Sequence, residues 1–142
     1  MHDDCLFCRI GRRELPAHLV HEDDHIMAFL DLHPIRPGHS LIIPRHHHVW
    51  FEDLPLDLAS RITECGQILA RRMKQLYGVE RVGFFYTGIH VAHAHAHVVP
   101  MHDRHDVSSQ AYLQEGTGEF TIPPQLQADE GRRIAQELAA AF

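Results

Sequence analysis

Histidines alternate with small apolar residues over one short stretch, and this alternation limits the conformation of the chain more than any other feature. In HVAHAHAHVVP, residues 90–100, His93, His95 and His97 stand at two-residue intervals. Successive side chains point to opposite faces of a β-strand, so the three imidazoles are expected on one face, each about 6.6 Å from the next. The intervening residues are all small and apolar: Ala92, Ala94, Ala96 and Val98. The pattern predicts a strand with one packed face and one face of imidazoles.

The remaining sequence divides into segments of strand length and segments with helical periodicity. Segments of strand length are LPAHLVHEDD, HIMAFLDL, HSLIIP and RVGFFYTG, and the prolines and glycine of HPIRPG predict a loop. From Pro55 to Tyr77 apolar residues recur every three or four positions, with Gly78 as a stop signal, which predicts a long amphipathic helix. Another helix is predicted after Pro124. This order of elements indicates an α+β fold with an antiparallel or mixed sheet.

The overall composition excludes several classes of protein. The chain has 142 residues, the length of one domain, and its formal net charge of −6 argues against non-specific binding to nucleic acid, which requires a basic surface. No apolar run approaches the roughly 20 residues that span a bilayer. The acidic start MHDDCLFCRI lacks the apolar segment of a signal peptide, and three cysteines give no disulfide framework. We therefore expect a cytoplasmic protein without a membrane or nucleic-acid partner.

The histidine stretch, together with the sequence before it, resembles the histidine triad (HIT) family. The pattern His-small-His-small-His-Val-Val is similar to the family signature, and CLFCRI, ELPA, EDD and AFLDLHPIRPGHSLIIPRHH resemble the N-terminal half of the family in order and spacing. The resemblance runs from about Cys5 to Met101. It implies one domain over residues 1–142, with a core at about 5–101 and a C-terminal extension at 103–142. It also implies an antiparallel sheet of about five strands, one long helix, a C-terminal helix and a homodimer.

The resemblance implies an enzyme that acts at the α-phosphate of a nucleotide conjugate. His95, the middle histidine of the triad, matches the nucleophile of the family, and an unprotonated imidazole can attack phosphorus without a separate base. His97 and His39 match the other active-site histidines, which would donate hydrogen bonds to phosphoryl oxygens. The expected activity is hydrolysis or nucleotidyl transfer through a nucleotidyl-histidine. The substrate would be a purine phosphoramidate, an adenylylated adduct or a dinucleoside polyphosphate.

Other residues match the nucleotide-binding positions of the family. Asp31 matches the residue that accepts hydrogen bonds from the ribose hydroxyls, although it could instead simply begin a turn. Five apolar residues match the walls of the base cleft, and each could equally belong to the core: Leu6, Phe7, Ile10, Phe29 and Leu32. The sequence departs from the family just before the triad, where Ile89 and His90 replace a glutamine and a hydroxyl residue. His90 is therefore a candidate phosphate donor in place of the hydroxyl.

The two N-terminal cysteines form a C-x-x-C pair that has two possible uses. A redox pair would be expected at a helix start after a strand, whereas a structural zinc site needs two more ligands, for which PRHHH offers candidates. Some bacterial members of the HIT family hold zinc with such a pair and two histidines, and the resemblance implies Cys5, Cys8, His47 and His93 as the matching residues. His46 and His48 are the alternatives to His47 in register. Cys65 lies on the apolar stripe of the long helix and is expected in the core.

Two other functions are compatible with this sequence. The missing glutamine and hydroxyl favour a nucleotide-binding or interaction protein with little turnover, whereas the intact triad opposes it. A metal-binding protein that uses all of its histidine clusters is the second alternative. It predicts several metal ions per chain, whereas the proposed zinc site predicts one.

Overall fold

The fold is an antiparallel sheet covered on both faces. The computed structural model describes residues 4–87, 91–107 and 123–142. Its helices are α1 (Leu6–Gly11), α2 (Leu56–Tyr77) and α3 (Ala128–Ala139), with a short 3₁₀ turn at Phe51–Asp53. Its strands are β1 (Leu19–Glu22), β2 (Ile26–Leu30), β3 (Ser40–Pro44), β4 (Arg81–Tyr86) and β5 (Ala96–Met101). Within these described residues the five strands form one sheet in the order β1-β2-β3-β5-β4, with every neighbouring pair antiparallel. The predicted α+β class and antiparallel sheet are confirmed.

The long helix α2 begins and ends where the sequence predicts. Pro55 occupies the N-cap position, and Gly78 ends the helix in the left-handed conformation, with φ of 65° and a hydrogen bond of 3.0 Å from its N–H to the carbonyl of Lys74. The predicted apolar stripe faces the sheet, where Ile62, Leu69 and Met73 are fully buried. Periodicity and capping signals agree here, so the sequence is sufficient to define this helix.

The central strands separate two apolar cores. Along β2, Ala28 and Leu30 pack in the main core with α2, whereas Met27 and Phe29 belong to a second core under α1. All five residues of β2 are buried, and so are all five of β3. Burial on both faces explains why these strands have almost continuous apolar sequences instead of alternating ones.

The C-terminal segment belongs to the main core. Leu126, Ile134 and Leu138 are buried in the same cluster as the apolar stripe of α2. The N–H of Leu126 donates to the carbonyl of Leu32 at 2.7 Å, and Arg72 Nε of α2 donates to the carbonyl of Glu137 at 2.8 Å. The single domain and its boundary between core and extension stay predictions.

The histidine stretch differs from its prediction at its N-terminal half. Strand β5 begins only at Ala96, so the expectation of His93 and His95 on the strand is wrong. The backbone before Ala96 makes other bonds: the N–H of Ala94 donates to the carbonyl of His48 at 2.6 Å. Ala94, Ala96 and Val98 do pack in the main core as predicted, but Ala92 is exposed. The triad therefore enters the sheet from a bend and presents its rings to different surroundings.

The described residues include no helix with the length and apolar character that crossing a membrane requires.

Candidate functional site

The ring of His95 is held in one tautomer. Its Nδ1 lies 2.7 Å from the carbonyl oxygen of His93, and because a carbonyl only accepts, Nδ1 carries the proton and donates. The Nε2 atom therefore keeps its lone pair. Phe7 packs edge-on against the ring, with 4.9 Å between centroids, and His95 is buried. This tautomer leaves Nε2 unprotonated on a buried ring that packs against Phe7 and His97.

A chain of hydrogen bonds fixes the other two histidines. The backbone N–H of Ile35 donates to His39 Nδ1 at 3.0 Å, so the proton of His39 is on Nε2. His39 Nε2 lies 3.0 Å from His97 Nδ1 and donates to it, which leaves the proton of His97 on its own Nε2. That N–H lies 3.4 Å from the hydroxyl oxygen of Thr87. His97 therefore has a donor available for a ligand oxygen.

Burial keeps both of these rings neutral. Removal from water lowers the pKa of His97 to about 3, and the neighbouring His39 and His95 lower it further in the same direction. Burial also lowers the pKa of His39, although Asp31 opposes this shift. Two neutral rings can each donate and accept once, which the hydrogen-bond chain requires.

Acid is expected to destabilise the folded protein through His97. Its pKa is 6.5 in the unfolded chain and about 3 in the folded protein, so its neutral form contributes stability above pH 6.5 that is lost as the pH falls toward 3. The loss is at most about 1.4 kcal/mol per pH unit. Urea unfolding gives the loss in free energy of unfolding between pH 7.5 and pH 5 for the parent and for His97→Gln. The parent should lose more, and the difference between the two losses is the part due to His97, because protonation of other groups affects both proteins. Equal losses in the two proteins would contradict this assignment.

Asp31 lies beside this chain of histidines. Its Oδ2 is 3.6 Å from His39 Nε2, and its Oδ1 accepts the backbone N–H of His33 at 2.8 Å. The N–H of Asp31 donates to the carbonyl of His39 at 3.0 Å. The structure thus brings Asp31, His39, His95 and His97 into one group of side chains. Their assigned roles stay predictions.

The predicted base-cleft residues fall into two groups. Leu6 and Leu32 are each 45% exposed, and both are available to a ligand. Phe7, Ile10 and Phe29 are buried in the second core, where Phe7 packs against the rings of His93 and His95. Their role in a base cleft stays a prediction. His90, the candidate phosphate donor, lies outside the described residues, so its role also stays a prediction.

Two cysteines and two histidines form a separate cluster. Cys5 Sγ is 3.4 Å and Cys8 Sγ is 3.5 Å from His93 Nδ1, and Cys8 Sγ is 3.3 Å from His47 Nδ1. All four ligand atoms lie within 4.8 Å of one another. In a zinc tetrahedron with bonds of about 2.3 Å to sulfur and about 2.0 Å to nitrogen, S and N are about 3.5 Å apart. The four predicted ligands therefore match the size and donor chemistry of a zinc site.

The surroundings of His93 also suit a metal ligand. Its Nε2 donates to the carbonyl of Pro44 at 2.9 Å, so Nδ1 has the lone pair that points to the cysteines. Burial lowers the pKa of His93 to about 4, so this lone pair persists at neutral pH. His47, rather than His46 or His48, supplies the fourth atom.

Asp31, His39 and His97 also converge closely enough to hold a cation. Their tautomers oppose this use, because His39 Nδ1 accepts the N–H of Ile35 and its Nε2 therefore carries a proton. A protonated nitrogen has no lone pair for a metal. Of this group, His97 is suited to bind an anion, because its Nε2–H is the donor that the bond between the two rings leaves over.

The comparison with known families agrees with this geometry. A model of the HIT domain matches residues 12–104. The chain belongs to the HIT family. An uncharacterised HIT-like protein of Methanocaldococcus jannaschii is 32% identical over 103 residues, which cover 70% of this chain and 80% of that protein. The adenosine 5′-monophosphoramidase of Saccharomyces cerevisiae is 33% identical over 100 residues, which cover 70% and 63% of the two proteins.

Solved structures of HIT proteins have the same architecture. A HIT-like protein of Bartonella henselae superimposes with a TM-score of 0.80 at 23% identity, covering 100% of this chain and 98% of that one, which establishes the fold alone. A zinc-bound histidine triad protein of Mycobacterium smegmatis superimposes with a TM-score of 0.72 at 26% identity, covering 96% and 94%. The HIT fold of this chain is thus established.

Four further residues, which the sequence did not predict, contribute to this HIT site. Thr87 faces His97, and Phe85 stacks on the His97 ring with 4.9 Å between centroids. Arg36 forms a two-point ion pair with Asp106, at 3.0 Å for each contact. The alternation of side chains in RVGFFYTG could have placed Phe85 on the His97 face. No local pattern connects Arg36 with Asp106, because 70 positions separate them.

Gly38 shapes the turn before His39, and alanine is expected to fit poorly there. Its φ is 99°, and a Cβ atom would lie 2.7 Å from Cε2 of Tyr77. Gly78 is the matched control because its φ of 65° also favours glycine, whereas nothing lies within 4 Å of a Cβ atom there. Gly38→Ala should lower the free energy of unfolding by about 1–2 kcal/mol more than Gly78→Ala, since it adds a clash to the backbone strain. Urea denaturation measures both, and equal losses would contradict the proposed clash.

Proposed function

We propose that this HIT protein hydrolyses nucleotide conjugates, or transfers their nucleotidyl group, at the α-phosphate. The observation that carries the proposal is the fixed tautomer of His95, in which Nδ1 donates to the carbonyl of His93 and Nε2 keeps its lone pair. The related S. cerevisiae protein is an adenosine 5′-monophosphoramidase, and a relative in Arabidopsis thaliana that is 28% identical is an adenylylsulfatase. The activities of these two relatives support a purine nucleotide conjugate as the substrate.

The proposed reaction has two steps. His95 Nε2 attacks the α-phosphorus, a P–N bond to the protein forms, and the bond to the leaving amine or oxygen breaks as the leaving group takes a proton from solvent. Water then attacks the same phosphorus, the P–N bond breaks, and the nucleoside monophosphate leaves. The His93 carbonyl stabilises the positive ring of the intermediate, and the Nε2–H of His97 donates to a phosphoryl oxygen. Asp31 is proposed to accept hydrogen bonds from the ribose.

Release of AMP from adenosine phosphoramidate is the direct test of this proposal. The purified protein should release AMP catalytically. AMP binding without release would favour the nucleotide-binding protein with little turnover, and neither binding nor release would overturn both.

We also propose that Cys5, Cys8, His47 and His93 hold one structural zinc ion. The contacts of 3.3–3.5 Å among their ligand atoms and the unprotonated Nδ1 of His93 support it. With four protein ligands, zinc would supply a crosslink and no open position for substrate. His93 would link the zinc site to the active site, because its ring would bind the metal while its backbone carbonyl orients His95.

We further propose that the chain forms a homodimer through strand β4. This strand lies at the edge of the described sheet, so one side of its backbone has no partner strand there. The surface beside it is apolar: Phe51 is 59% exposed and stacks on Tyr86 of β4, and Phe84 of the same strand is 39% exposed. An unpaired edge with an apolar border suits a second copy of the same strand.

Phe51→Glu should therefore shift the protein from dimer to monomer, because a carboxylate would be buried between the two copies. Phe142→Glu is the control, since Phe142 is an exposed apolar residue at the opposite edge, where it stacks on His21 of β1. Sedimentation velocity distinguishes the two states. A parent protein that sediments as a monomer would contradict the proposal.

A further inference from the structure

Asp106 is a buried carboxylate with no role in the steps above. It is 5% exposed, and it accepts hydrogen bonds from Arg36 Nε and Nη2, both at 3.0 Å. It also accepts the backbone N–H groups of His102 at 2.7 Å and Asp103 at 3.0 Å. One carboxylate thus joins the turn after β5 to the loop before β3.

The partner of Asp106 belongs to the loop that surrounds His39. The carbonyl of Arg36 accepts the N–H of His39 at 3.0 Å, and the preceding residue, Ile35, donates its N–H to His39 Nδ1 at 3.0 Å. The side chain of Arg36 is therefore fixed by Asp106, while its backbone and that of Ile35 hold the His39 ring. Asp106 restrains this ring without touching it.

This ion pair differs from the others in the described part of the chain. The Asp106 side chain is 7% exposed, whereas every other carboxylate in a described ion pair is at least 22% exposed. The Arg36 side chain is 39% exposed, so solvent screens the pair and its net contribution to stability is small, while the carboxylate still loses solvation on burial. A pair in this position is thus better explained by the geometry that it imposes than by net stability.

We propose that Asp106 is a positioning residue that, through Arg36, sets the tautomers of His39 and His97. With the loop restrained, Ile35 donates to His39 Nδ1, His39 Nε2 donates to His97 Nδ1, and His97 presents an N–H to the phosphate. Without the restraint the Ile35 bond loosens, and the proton of His39 can move to Nδ1. The bond between the rings then reverses, and His97 Nε2 loses the proton that it would donate.

The catalytic part of this inference rests on the proposed function, whereas the tautomers can be read without turnover. Long-range ¹H–¹⁵N NMR spectra distinguish protonated from unprotonated ring nitrogens in the folded protein. In the parent, His39 Nδ1 and His97 Nδ1 should be unprotonated. In Asp106→Asn, both should become at least partly protonated. The kcat for adenosine phosphoramidate should fall about tenfold to a hundredfold, with KM changed by less than about twofold, because this donor acts mainly in the transition state.

Two further variants complete the experiment. Glu22→Gln is the matched control, since Glu22 of β1 also accepts hydrogen bonds from two arginines, Arg13 and Arg45. Neither the NMR pattern nor the kcat of this variant should change. Arg36→Lys keeps the charge but loses the two-point contact, and it decides the question if Asp106→Asn does not fold. Ring nitrogens that remain as in the parent would overturn the inference, and so would reversed tautomers with an unchanged kcat. Failure of the parent to release AMP would instead overturn the proposed function.

Discussion

His95→Ala should reduce AMP release from adenosine phosphoramidate by about a thousandfold or more. The variant removes the only nitrogen that the proposed reaction uses to bond with phosphorus, so the covalent route is lost rather than slowed. Neighbouring donors such as His97 would still bind the phosphate, so the affinity for AMP should change much less than kcat. Steady-state kinetics and AMP titration by calorimetry measure the two effects separately.

His25→Ala is the matched control for this variant. His25 is exposed, and its described hydrogen bonds are made by its backbone, which donates to Asp23 Oδ1 and accepts from the N–H of Arg45, so the variant should retain parental activity. Mass spectrometry of alkali-quenched reactions should detect a nucleotidyl group on the parent and none on His95→Ala. Release that persists in His95→Ala would exclude His95 as the nucleophile.

Cys8→Ala should abolish zinc binding and lower the melting temperature by about 15 °C. The parent should contain one zinc per chain after purification without added metal. At free zinc about a thousand times the Kd, binding stabilises the folded state by about 4 kcal/mol, and a domain of this size loses roughly 3–4 °C per kcal/mol. Elemental analysis and calorimetry measure the two changes. A zinc content near zero in the parent would contradict the proposal, and several ions per chain would favour the metal-binding alternative.

Cys65→Ala separates loss of metal from loss of packing. Cys65 is buried on α2, and burial, with Asp23 and Glu64 nearby, raises the pKa of its thiol to about 12. A thiol that remains protonated is a poor zinc ligand. This variant should lose stability through the cavity while keeping one zinc per chain.

Cys8→Ala should also lower kcat, because His93 would lose the restraint that fixes its carbonyl against His95.

Sequence periodicity and capping residues are enough to predict an element whose limits depend on local interactions. Helix α2 has a regular apolar period and a glycine at its end, so its limits follow from the sequence. Helix α1 has six residues, too few for a periodic pattern, and it is stabilised instead by the packing of Phe7 and Ile10 against the sheet. The sequence pattern places the start of β5 too early, because alternating burial also suits an extended segment that does not pair with a neighbouring strand. In this segment the N–H of Ala94 donates to the carbonyl of His48 instead.

The candidate site shows the same division. The identities of His39, His95, His97 and the four cluster residues came from family resemblance, and the structure places them in two groups. The tautomers depend on single backbone groups, the carbonyl of His93 and the N–H of Ile35, and neither leaves a mark in the sequence. For the same reason, the sequence gives no indication of the role of Arg36, which depends on its contact with Asp106.

The span of the cysteine–histidine cluster has a consequence for the order of folding. The contact between Cys5 and His93 joins residues 88 positions apart, and that between Cys8 and His47 joins residues 39 apart. Closing such long loops costs entropy before any ligand is gained. The complete set of ligands can meet only after β3 has paired with β5, which brings Pro44 to the ring of His93. Capture of the proposed zinc ion should therefore be a late step that takes place on a nearly native sheet.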